Sequence, residues 1–406
     1  KLPVLLRTTT RLNHVRGPVE LGEMQKPKGK GFFEKDPMLV TVPAVARAQH
    51  PVLLQKMEEA REISEKSSFN KIIEVGEPSD WGVVTSGVSF NYVKEVAEEL
   101  KLDIRILKLG MTHPLPTGLC KSFISKCKNI VVVEELEPIL ENQFKAIAYD
   151  VGSNVKIFGK SNGYLSRLYE YNMDVVAEVF SKIFKVKNPF VKSGKPMVEL
   201  PSRPPALCPG CPHRSTFWAV KTALGEKRIF LGDIGCYLLG ALPPYQMSDL
   251  IVAMGAGMGI GHGISKVSKK KPVIFIGDST FFHAGLSALA SLVYNQSNVL
   301  VIILDNRVTA MTGHQPHPGS GYTARGNLTK EIKIEDIARA MKVDKVEVAH
   351  VYNFQETVRK IKELDKVKGV SVLVARGECR LLTIRKLSQK NISLPRFKIV
   401  KQSPQL

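Results

Sequence analysis

Two uninterrupted apolar runs in the second half of the chain predict strands that are buried on both faces. They cover residues 273–276 and 299–304, and polar residues follow each run at once. Parallel strands that are covered by helices read as such runs. Because open α/β sheets bind ligands beyond the carboxyl ends of their strands, we expect Asp278 and Asn306, which follow the two runs, to meet at one crevice.

Alternating apolar and polar segments between residues 71 and 187 predict a second, smaller α/β domain. Its predicted strands are residues 81–87, 104–107 and 130–133. A helix is predicted over residues 91–100 from the spacing of its apolar positions. The fold class that follows is α/β, with two doubly wound domains.

Residues 249–267 predict a helix in which every second residue from Gly255 to Gly263 is a glycine. Each glycine inside a helix costs about 0.5–1 kcal/mol relative to alanine. Five of them therefore indicate that another surface approaches this helix closely. A cofactor and a neighbouring helix are equally consistent with the pattern.

The residues after the two buried strands have the chemistry of a magnesium and diphosphate site. A carboxylate from Asp278 and an amide oxygen from Asn306 suit Mg²⁺, which also takes phosphate oxygens from a ligand. Gly277 would let the backbone approach a diphosphate, and Ser279 and Thr280 would place donors at the start of a helix. Gly-Asp-Ser alone is also typical of an ordinary strand turn; the asparagine that follows after 26 intervening residues favours the cofactor site.

Cys208 and Cys211 form a C-x-x-C spacing at a predicted helix start. The spacing suits a redox dithiol, a zinc ligand pair or an iron–sulfur ligand pair, and by itself it does not choose between them. The six cysteines of the chain are too few and too scattered for a disulfide framework.

The remaining cysteines fall into two groups. Cys236 lies in a glycine-containing turn, and Cys379 follows a predicted strand at residues 370–375. Cys120 and Cys127 read as small buried hydrophobes. Only the first two are therefore candidates to join the C-x-x-C pair.

Three longer motifs accompany Asp278 and Asn306. They are residues 208–214 (CPGCPHR), 232–237 (GDIGCY) and 309–319 (TAMTGHQPHPG). Together they make the chain resemble the α subunits of indolepyruvate:ferredoxin oxidoreductases, which belong to the thiamine diphosphate-dependent 2-oxoacid:ferredoxin oxidoreductases. The resemblance covers nearly the whole chain.

The resemblance implies four parts. They are the tail of an upstream pyrimidine-binding domain with a connector (1–60), a transketolase C-terminal-like domain (61–195), a domain that binds the thiamine diphosphate and magnesium (196–385), and a C-terminal tail (386–406). Most of the pyrimidine-binding domain, with the glutamate that activates thiamine, and a C-terminal ferredoxin-like domain would lie outside this chain. The chain alone is therefore expected to turn over poorly.

The resemblance also implies a set of cofactor ligands. A [4Fe–4S] cluster would be held by Cys208, Cys211, Cys236 and Cys379, of which Cys379 has the weakest local motif. Mg²⁺ would be held by Asp278, Asn306 and the carbonyl of Val308. The diphosphate would be held by Gly277, Ser279 and Thr280.

Three histidines fall in or beside the expected cofactor crevice. Neutral imidazoles of His213, His314 and His317 could exchange protons with a substrate, and they are therefore candidate catalytic residues. For each of them a role in loop structure is the alternative.

The activity that the resemblance implies is oxidative decarboxylation of an aryl 2-oxoacid, of the indolepyruvate type, to the acyl-CoA. Electrons would pass through the [4Fe–4S] cluster to ferredoxin. The expected partners are a β subunit, ferredoxin, coenzyme A, the 2-oxoacid and the separate or upstream pyrimidine-binding domain. Two other functions stay open: a non-oxidative thiamine diphosphate decarboxylase or carboligase, and a basic zinc-binding interaction protein.

The formal net charge of +20 changes this picture little. The basic residues are spread along the chain and form no module with interleaved aromatic residues, so we predict no nucleic-acid binding. The charge suits the docking of an acidic electron carrier, or is simply a solvated surface. Because no apolar run reaches about 18 residues and no signal-peptide pattern is present, we expect no membrane insertion and a cytoplasmic location.

Overall fold

The computed structural model describes residues 2–24, 31, 33–190 and 201–393. The fold divides into two compact units, Lys1–Glu199 and Leu200–Leu406. Residues 25–30 and 32 of the predicted connector, and the predicted tail after residue 393, lie outside the described residues.

The first unit is an α/β domain built on a five-stranded sheet. Its strands are β1 (Lys71–Val75), β2 (Trp81–Ser86), β3 (Ile104–Leu109), β4 (Asn129–Val133) and β5 (Lys156–Phe158). Its helices are α1 (Thr10–His14), α2 (Pro43–Lys66), α3 (Ser89–Glu99), α4 (Thr117–Ile124), α5 (Ile139–Asp150) and α6 (Met173–Phe184). The predicted strands and helix of this region are thereby confirmed.

The sheet of the first unit has the order β1-β3-β2-β4-β5, and only β1 pairs antiparallel. Neighbouring residues on one strand face different layers: Val83 packs in one apolar cluster and Val84 in another. Both faces of the sheet are therefore covered, which confirms the doubly wound class for this unit.

Helix α2 was not predicted from the sequence. Its mean hydropathy is low, Pro51 lies inside it, and Ser64 is its one buried residue. The helix crosses position 60, where the sequence predicts that the connector ends. Near its end, Glu65 accepts hydrogen bonds from the backbone N–H groups of Gly118 and Leu119, at 2.5 and 3.0 Å. This carboxylate thus satisfies free donors at the start of α4.

The second unit is also built on a five-stranded sheet. Its strands are β6 (Phe230–Leu231), β7 (Val273–Gly277), β8 (Val299–Asp305), β9 (Lys345–His350) and β10 (Val370–Arg376). Its helices are α7 (Pro212–Leu224), α8 (Ala256–Val267), α9 (Asp278–Thr280), α10 (Leu286–Tyr294), α11 (Ile334–Ala340), α12 (Phe354–Asp365) and α13 (Arg380–Gln389). A π-helical turn, Phe281–Gly285, joins α9 to α10.

All strand pairs of this second sheet are parallel, in the order β6-β7-β8-β10-β9. Every residue of β7 and of β8 is buried, which confirms the reading of the two apolar runs. Since β7 and β8 are neighbours and parallel, their carboxyl ends lie side by side. This arrangement brings the residues that follow them to one edge of the sheet.

The predicted helix over residues 249–267 is seven residues too long. Residues 249–255 are not helical: the Asp249 carboxylate accepts the N–H of Phe230, and Gly255 has a left-handed φ of +82° just before α8 begins. The predicted close approach holds at Gly261, where a Cβ would lie 2.5 Å from Cδ1 of Ile274 on the sheet, whereas Gly259 and Gly263 have open space around their Cβ positions. At Gly261 the close surface is therefore the sheet, and neither a cofactor nor a neighbouring helix, which are the two explanations that the sequence leaves open.

The glycines of α8 should therefore differ sharply in their response to substitution. We expect Gly261→Ala to destabilise the unit by about 1–3 kcal/mol, since the added methyl overpacks against β7. Gly263 has open space around its Cβ position, so Gly263→Ala should stabilise by about 0.5–1 kcal/mol. Chemical denaturation of both variants measures this; equal effects would contradict the close packing at Gly261.

Two further features qualify the sequence predictions. Helix α13 runs to Gln389, past position 385, where the cofactor-binding domain is predicted to end. Among the described residues, no helix is both long and apolar enough to cross a membrane.

Candidate active site at the carboxyl ends of two strands

Asp278 is the first residue after β7 and is 2% exposed. Its Oδ1 accepts the N–H of Ser279 at 2.7 Å, and its Oδ2 accepts the N–H of Arg307 at 2.7 Å. A carboxylate offers about four lone-pair positions. The buried side chain is therefore fixed by the backbone of both strand ends and retains acceptor capacity for a cation.

Asn306 follows β8 and is also buried. Its Oδ1 accepts the N–H of Val308 at 3.2 Å, and the intervening Arg307 has a left-handed φ of +68°. Such a conformation in a bulky residue is strained and is found mostly where function requires it. The turn directs the Arg307 N–H at Asp278, and so links the two predicted metal ligands through one residue.

This donor set fits a hard cation. Asp278 and Asn306 supply side-chain oxygens that each keep a free lone pair, and Val308, which is 4% exposed, supplies a nearby carbonyl. Mg²⁺ prefers oxygen ligands and keeps several sites for water or phosphate, so a partial protein shell of this kind suits it. These three residues could hold magnesium beside a diphosphate.

The predicted diphosphate residues have neighbours of their own. A Cβ on Gly277 would lie 2.6 Å from Cε1 of Tyr237, so this glycine is required by the tyrosine ring. The Tyr237 hydroxyl donates to the carbonyl of Ile234 and lies 3.4 Å from Oγ1 of Thr280. The buried Thr280 is thus held from within the fold. The diphosphate role of Gly277 stays a prediction, and the structure gives a packing reason for this glycine as well.

Ser279 is half-buried and receives a hydrogen bond from the hydroxyl of Thr309 at 2.8 Å. This contact ties the start of α9 to the loop that follows Asn306. The backbone N–H of Ser279 already donates a hydrogen bond to the Asp278 carboxylate. The Ser279 hydroxyl is therefore the group of this trio that a diphosphate could reach with least rearrangement.

His213 lies on Asn306 rather than in open space. It is 2% exposed, and its Nε2 is 3.3 Å from Nδ2 of Asn306. Burial lowers the pKa of His213 to about 4, although Asp278 opposes the shift. The imidazole is therefore neutral at pH 7 and accepts the amide N–H, which turns the Asn306 oxygen away from it.

His317 lies on the other predicted ligand. Its Nε2 is 3.0 Å from Oδ2 of Asp278 without the angle of a hydrogen bond, and its Nδ1 accepts the N–H of Gly319 at 3.2 Å. The ring also stacks on Phe282. Since Nδ1 accepts, a neutral ring carries its proton on Nε2, facing the carboxylate. This histidine lies against Asp278 and is nearly closed to solvent.

His314 is separate from these two. Its Nε2 lies 3.7 Å from Sγ of Cys379, and the side chain is half-exposed. The three predicted catalytic histidines thus divide between the metal ligands and a cysteine. Their catalytic role stays a prediction.

The four predicted cluster cysteines influence one another electrostatically. Burial raises the pKa of Cys211 to about 11, and Cys236, Cys208 and Cys379 each add to the shift. Burial likewise raises the pKa of Cys236, again with Cys379 and Cys208 contributing. The four thiols are therefore neighbours, whereas Cys120 and Cys127 are both in the first unit. Cys211 immediately precedes α7, as the sequence predicts.

The chemistry of these four thiols limits the type of metal that they could hold. In the described part of the chain, no group of three or more His, Cys, Asp or Glu side chains is arranged to hold an ion. Four thiols are a donor set that suits both zinc and an iron–sulfur cluster, and the described side chains do not choose between them.

Backbone hydrogen bonds connect one of the four cysteines to a predicted magnesium ligand. The Cys379 N–H donates to the carbonyl of Asn306 at 3.0 Å, and the Gly377 N–H donates to the carbonyl of Asp305 at 2.9 Å. The segment after β10 therefore extends along the end of β8. Cys379 is in this way bound directly to the turn that carries Asn306.

Several residues of this site were not found from the sequence. Asp305 is 2% exposed and is paired with Arg376, whose Nε lies 2.7 Å from Oδ2. Arg376 also pairs with Glu335 on α11. Burial and the nearby Asp278 raise the pKa of Asp305, while Arg376 opposes this. This ion pair could have been predicted only from the register of β8 and β10, because pairing of the two strands places Asp305 opposite Arg376.

Comparisons with known proteins agree with this geometry. The family model described as "Thiamine pyrophosphate enzyme, C-terminal TPP binding domain" matches residues 233–375, which include Asp278 and Asn306. The model described as "Indolepyruvate oxidoreductase domain" matches residues 81–190 of the first unit.

Relatives of this kind match almost the whole chain. Indolepyruvate oxidoreductase subunit IorA of Thermococcus kodakarensis is 44% identical over 98% of this chain and 65% of its own length. The subunit of the same name from Methanothermobacter thermautotrophicus is 42% identical over 94% of this chain and 62% of its own length. The chain thus spans somewhat less than two thirds of the length of these relatives.

Among solved structures, a 2-oxoglutarate:ferredoxin oxidoreductase from Magnetococcus marinus is similar at 18% identity. The similarity covers 46% of this chain and 68% of that chain, with a TM-score of 0.39. The sequence matches are much stronger, and they include both units. On those matches, the chain belongs to the family of indolepyruvate oxidoreductase α subunits.

Proposed function

We propose that the protein is a subunit of a thiamine diphosphate-dependent oxidoreductase that oxidatively decarboxylates an aryl 2-oxoacid, of the indolepyruvate type, to the acyl-CoA. Electrons would leave through a [4Fe–4S] cluster to ferredoxin. Thiamine diphosphate supplies, when bound, the carbanion-stabilising chemistry that decarboxylation needs. The chain's own contribution would be to bind and orient the cofactor and to provide a path by which electrons leave it.

One observation carries this proposal: the hydrogen bond from Cys379 to the carbonyl of Asn306. It joins a proposed cluster ligand to a proposed magnesium ligand. A non-oxidative decarboxylase has no use for four thiols beside its cofactor. The arrangement therefore favours a reaction in which electrons leave the substrate.

The ligands that we propose are those that the family resemblance implies, and the contacts of Asp278 and Asn306 support two of them. Asp278, Asn306 and the Val308 carbonyl would hold Mg²⁺, and Ser279 with Thr280 and Gly277 would border the diphosphate. Cys208, Cys211, Cys236 and Cys379 would hold the cluster. His213 and His317 would keep the two side-chain ligands of the metal oriented, since outer-shell partners fix the direction of a ligand.

The partners belong to the same proposal. A β subunit, ferredoxin, coenzyme A and a pyrimidine-binding domain would complete the enzyme, and the net charge of +20 suits the approach of an acidic carrier. All six cysteines are free, which agrees with a cytoplasmic location, where thiols stay reduced.

Anaerobic purification followed by iron, sulfide and zinc analysis tests the proposal. We expect about four irons and four acid-labile sulfides per chain, together with a brown visible spectrum. A non-oxidative decarboxylase would contain no iron. A basic zinc-binding protein would contain about one zinc and no sulfide, and either of these results would contradict the proposed function.

A further inference from the structure

The loop between Asn306 and His317 contacts both proposed cofactor sites. Its tip is closed by short hydrogen bonds: the Thr309 N–H donates to the Gln315 carbonyl, and the His314 N–H donates to the Thr309 carbonyl, both at 3.0 Å. The side chains of Thr312 and Gln315 add two more bonds across the tip, at 2.7 and 2.8 Å. The loop therefore has one defined conformation without help from a ligand.

The conformation of this loop directs the His314 side chain at a cysteine. His314 has a left-handed φ of +65°, and the preceding Gly313 has a φ of +127°. In this conformation, Nε2 of the imidazole lies 3.7 Å from Sγ of Cys379. The loop thus brings one polar atom of His314 to a sulfur.

We propose that His314 donates a hydrogen bond from Nε2 to the sulfur of Cys379 and thereby raises the reduction potential of the cluster. This inference rests on the proposed function, because it requires the cluster. A cluster-bound thiolate has no proton, so it can only accept in this contact. Hydrogen bonds to cluster sulfurs stabilise the reduced, more negative state and are among the determinants of the potential.

The proposed contact needs a proton on Nε2 of His314. A neutral imidazole has a single N–H, and an anionic sulfur at 3.7 Å from Nε2 favours the tautomer with the proton there. The hydrogen bond does not require a charged histidine.

The position of Cys379 makes the effect relevant to the reaction. The N–H of this cysteine donates to the carbonyl of Asn306. A proposed cluster ligand is thus hydrogen-bonded to a proposed magnesium ligand. A higher potential makes the cluster a better acceptor for electrons that leave the thiamine side. His314 would therefore act on electron transfer, without touching the substrate.

The test is the midpoint potential of the cluster in two variants of His314. His314→Gly removes the donor at a position whose positive φ glycine tolerates, so the loop should keep its shape. We expect a shift of the midpoint potential to a more negative value, measured by anaerobic redox titration of the chain. His314→Gln keeps an N–H donor of similar reach and should restore most of the original potential. His262→Ala, which removes a histidine bonded to Ser297 instead, should leave the potential unchanged.

The outcomes separate this inference from the proposed function. An unchanged potential in His314→Gly, with the iron content of the original protein, would overturn the role of His314 and leave the proposed function standing. A shift of equal size in His262→Ala would overturn it as well. Absence of a cluster from the unsubstituted protein would overturn both.

Discussion

Asp278→Asn is expected to weaken magnesium-dependent binding of thiamine diphosphate by at least about 100-fold. Losing an outer-shell partner already costs about 10–100-fold in metal affinity, and Asp278 would be the charged ligand itself. The amide also presents an N–H₂ group toward the Arg307 or Ser279 N–H, both of which now donate to the carboxylate. Titration calorimetry with thiamine diphosphate, with and without Mg²⁺, measures the loss.

The control for this substitution is Asp336→Asn on α11. Asp336 is largely exposed and pairs only with Arg339 at 3.2 Å, so its loss should leave binding unchanged and stability within about 0.5 kcal/mol. A small loss of stability in Asp278→Asn is expected from the unpaired backbone donor, on the order of 1–3 kcal/mol. Equal affinity for the cofactor in the two variants would contradict the assignment of Asp278.

Much of this site could be predicted because the ends of buried strands can be recognised in a sequence. The apolar runs at β7 and β8 are continuous, so the polar residues after them had to lie at a sheet edge. Their adjacency required one further fact, that β7 and β8 are neighbours, and the fold provides it. The alternating pattern of the first unit was equally informative, since short strands and amphipathic helices have distinct periods.

What the sequence could not provide is how side chains and backbone turns fit together. Three features of the site depend on contacts between segments far apart in the chain. They are the left-handed conformation of Arg307, the packing of the Tyr237 ring against Gly277, and the different contacts of His314 and His213. No local pattern encodes such contacts. For the same reason, the glycines of α8 could be recognised as a sign of close approach, but the sheet could not be identified as the approaching surface.

Helix boundaries were predictable only where a local signal marks them. Proline and the C-x-x-C pair mark the start of α7 in the sequence, and the structure agrees. Just before α8, the Gly255 N–H donates to the Asp233 carboxylate, which is a contact between separate segments. Helix α2 has little apolar periodicity, and its end is held by a cap that Glu65 provides to another helix. Neither the start of α8 nor helix α2 could therefore be predicted from the pattern of apolar residues.

Cys211→Ser is expected to remove the cluster and, with it, the visible chromophore. Cys211 is one of four mutually neighbouring thiols, and a serine oxygen is a poor substitute for a thiolate that must share iron. The residue also precedes α7 directly, so its position is fixed by the helix. We expect iron and sulfide to fall to near zero in the anaerobically purified variant, and ferredoxin reduction in the assembled enzyme to be lost.

Cys120→Ser is the matched control, because it makes the same chemical change at a thiol of the first unit. Cys120 is fully buried, and burial raises the pKa of this thiol to about 12, so it is a protonated, apolar group in the fold. Placing a hydroxyl there should cost about 1–3 kcal/mol in the free energy of unfolding. The control should therefore lose stability and keep its iron, while Cys211→Ser loses its iron. Iron contents that fall together in both variants would show that the metal depends on general stability and that Cys211 is no ligand.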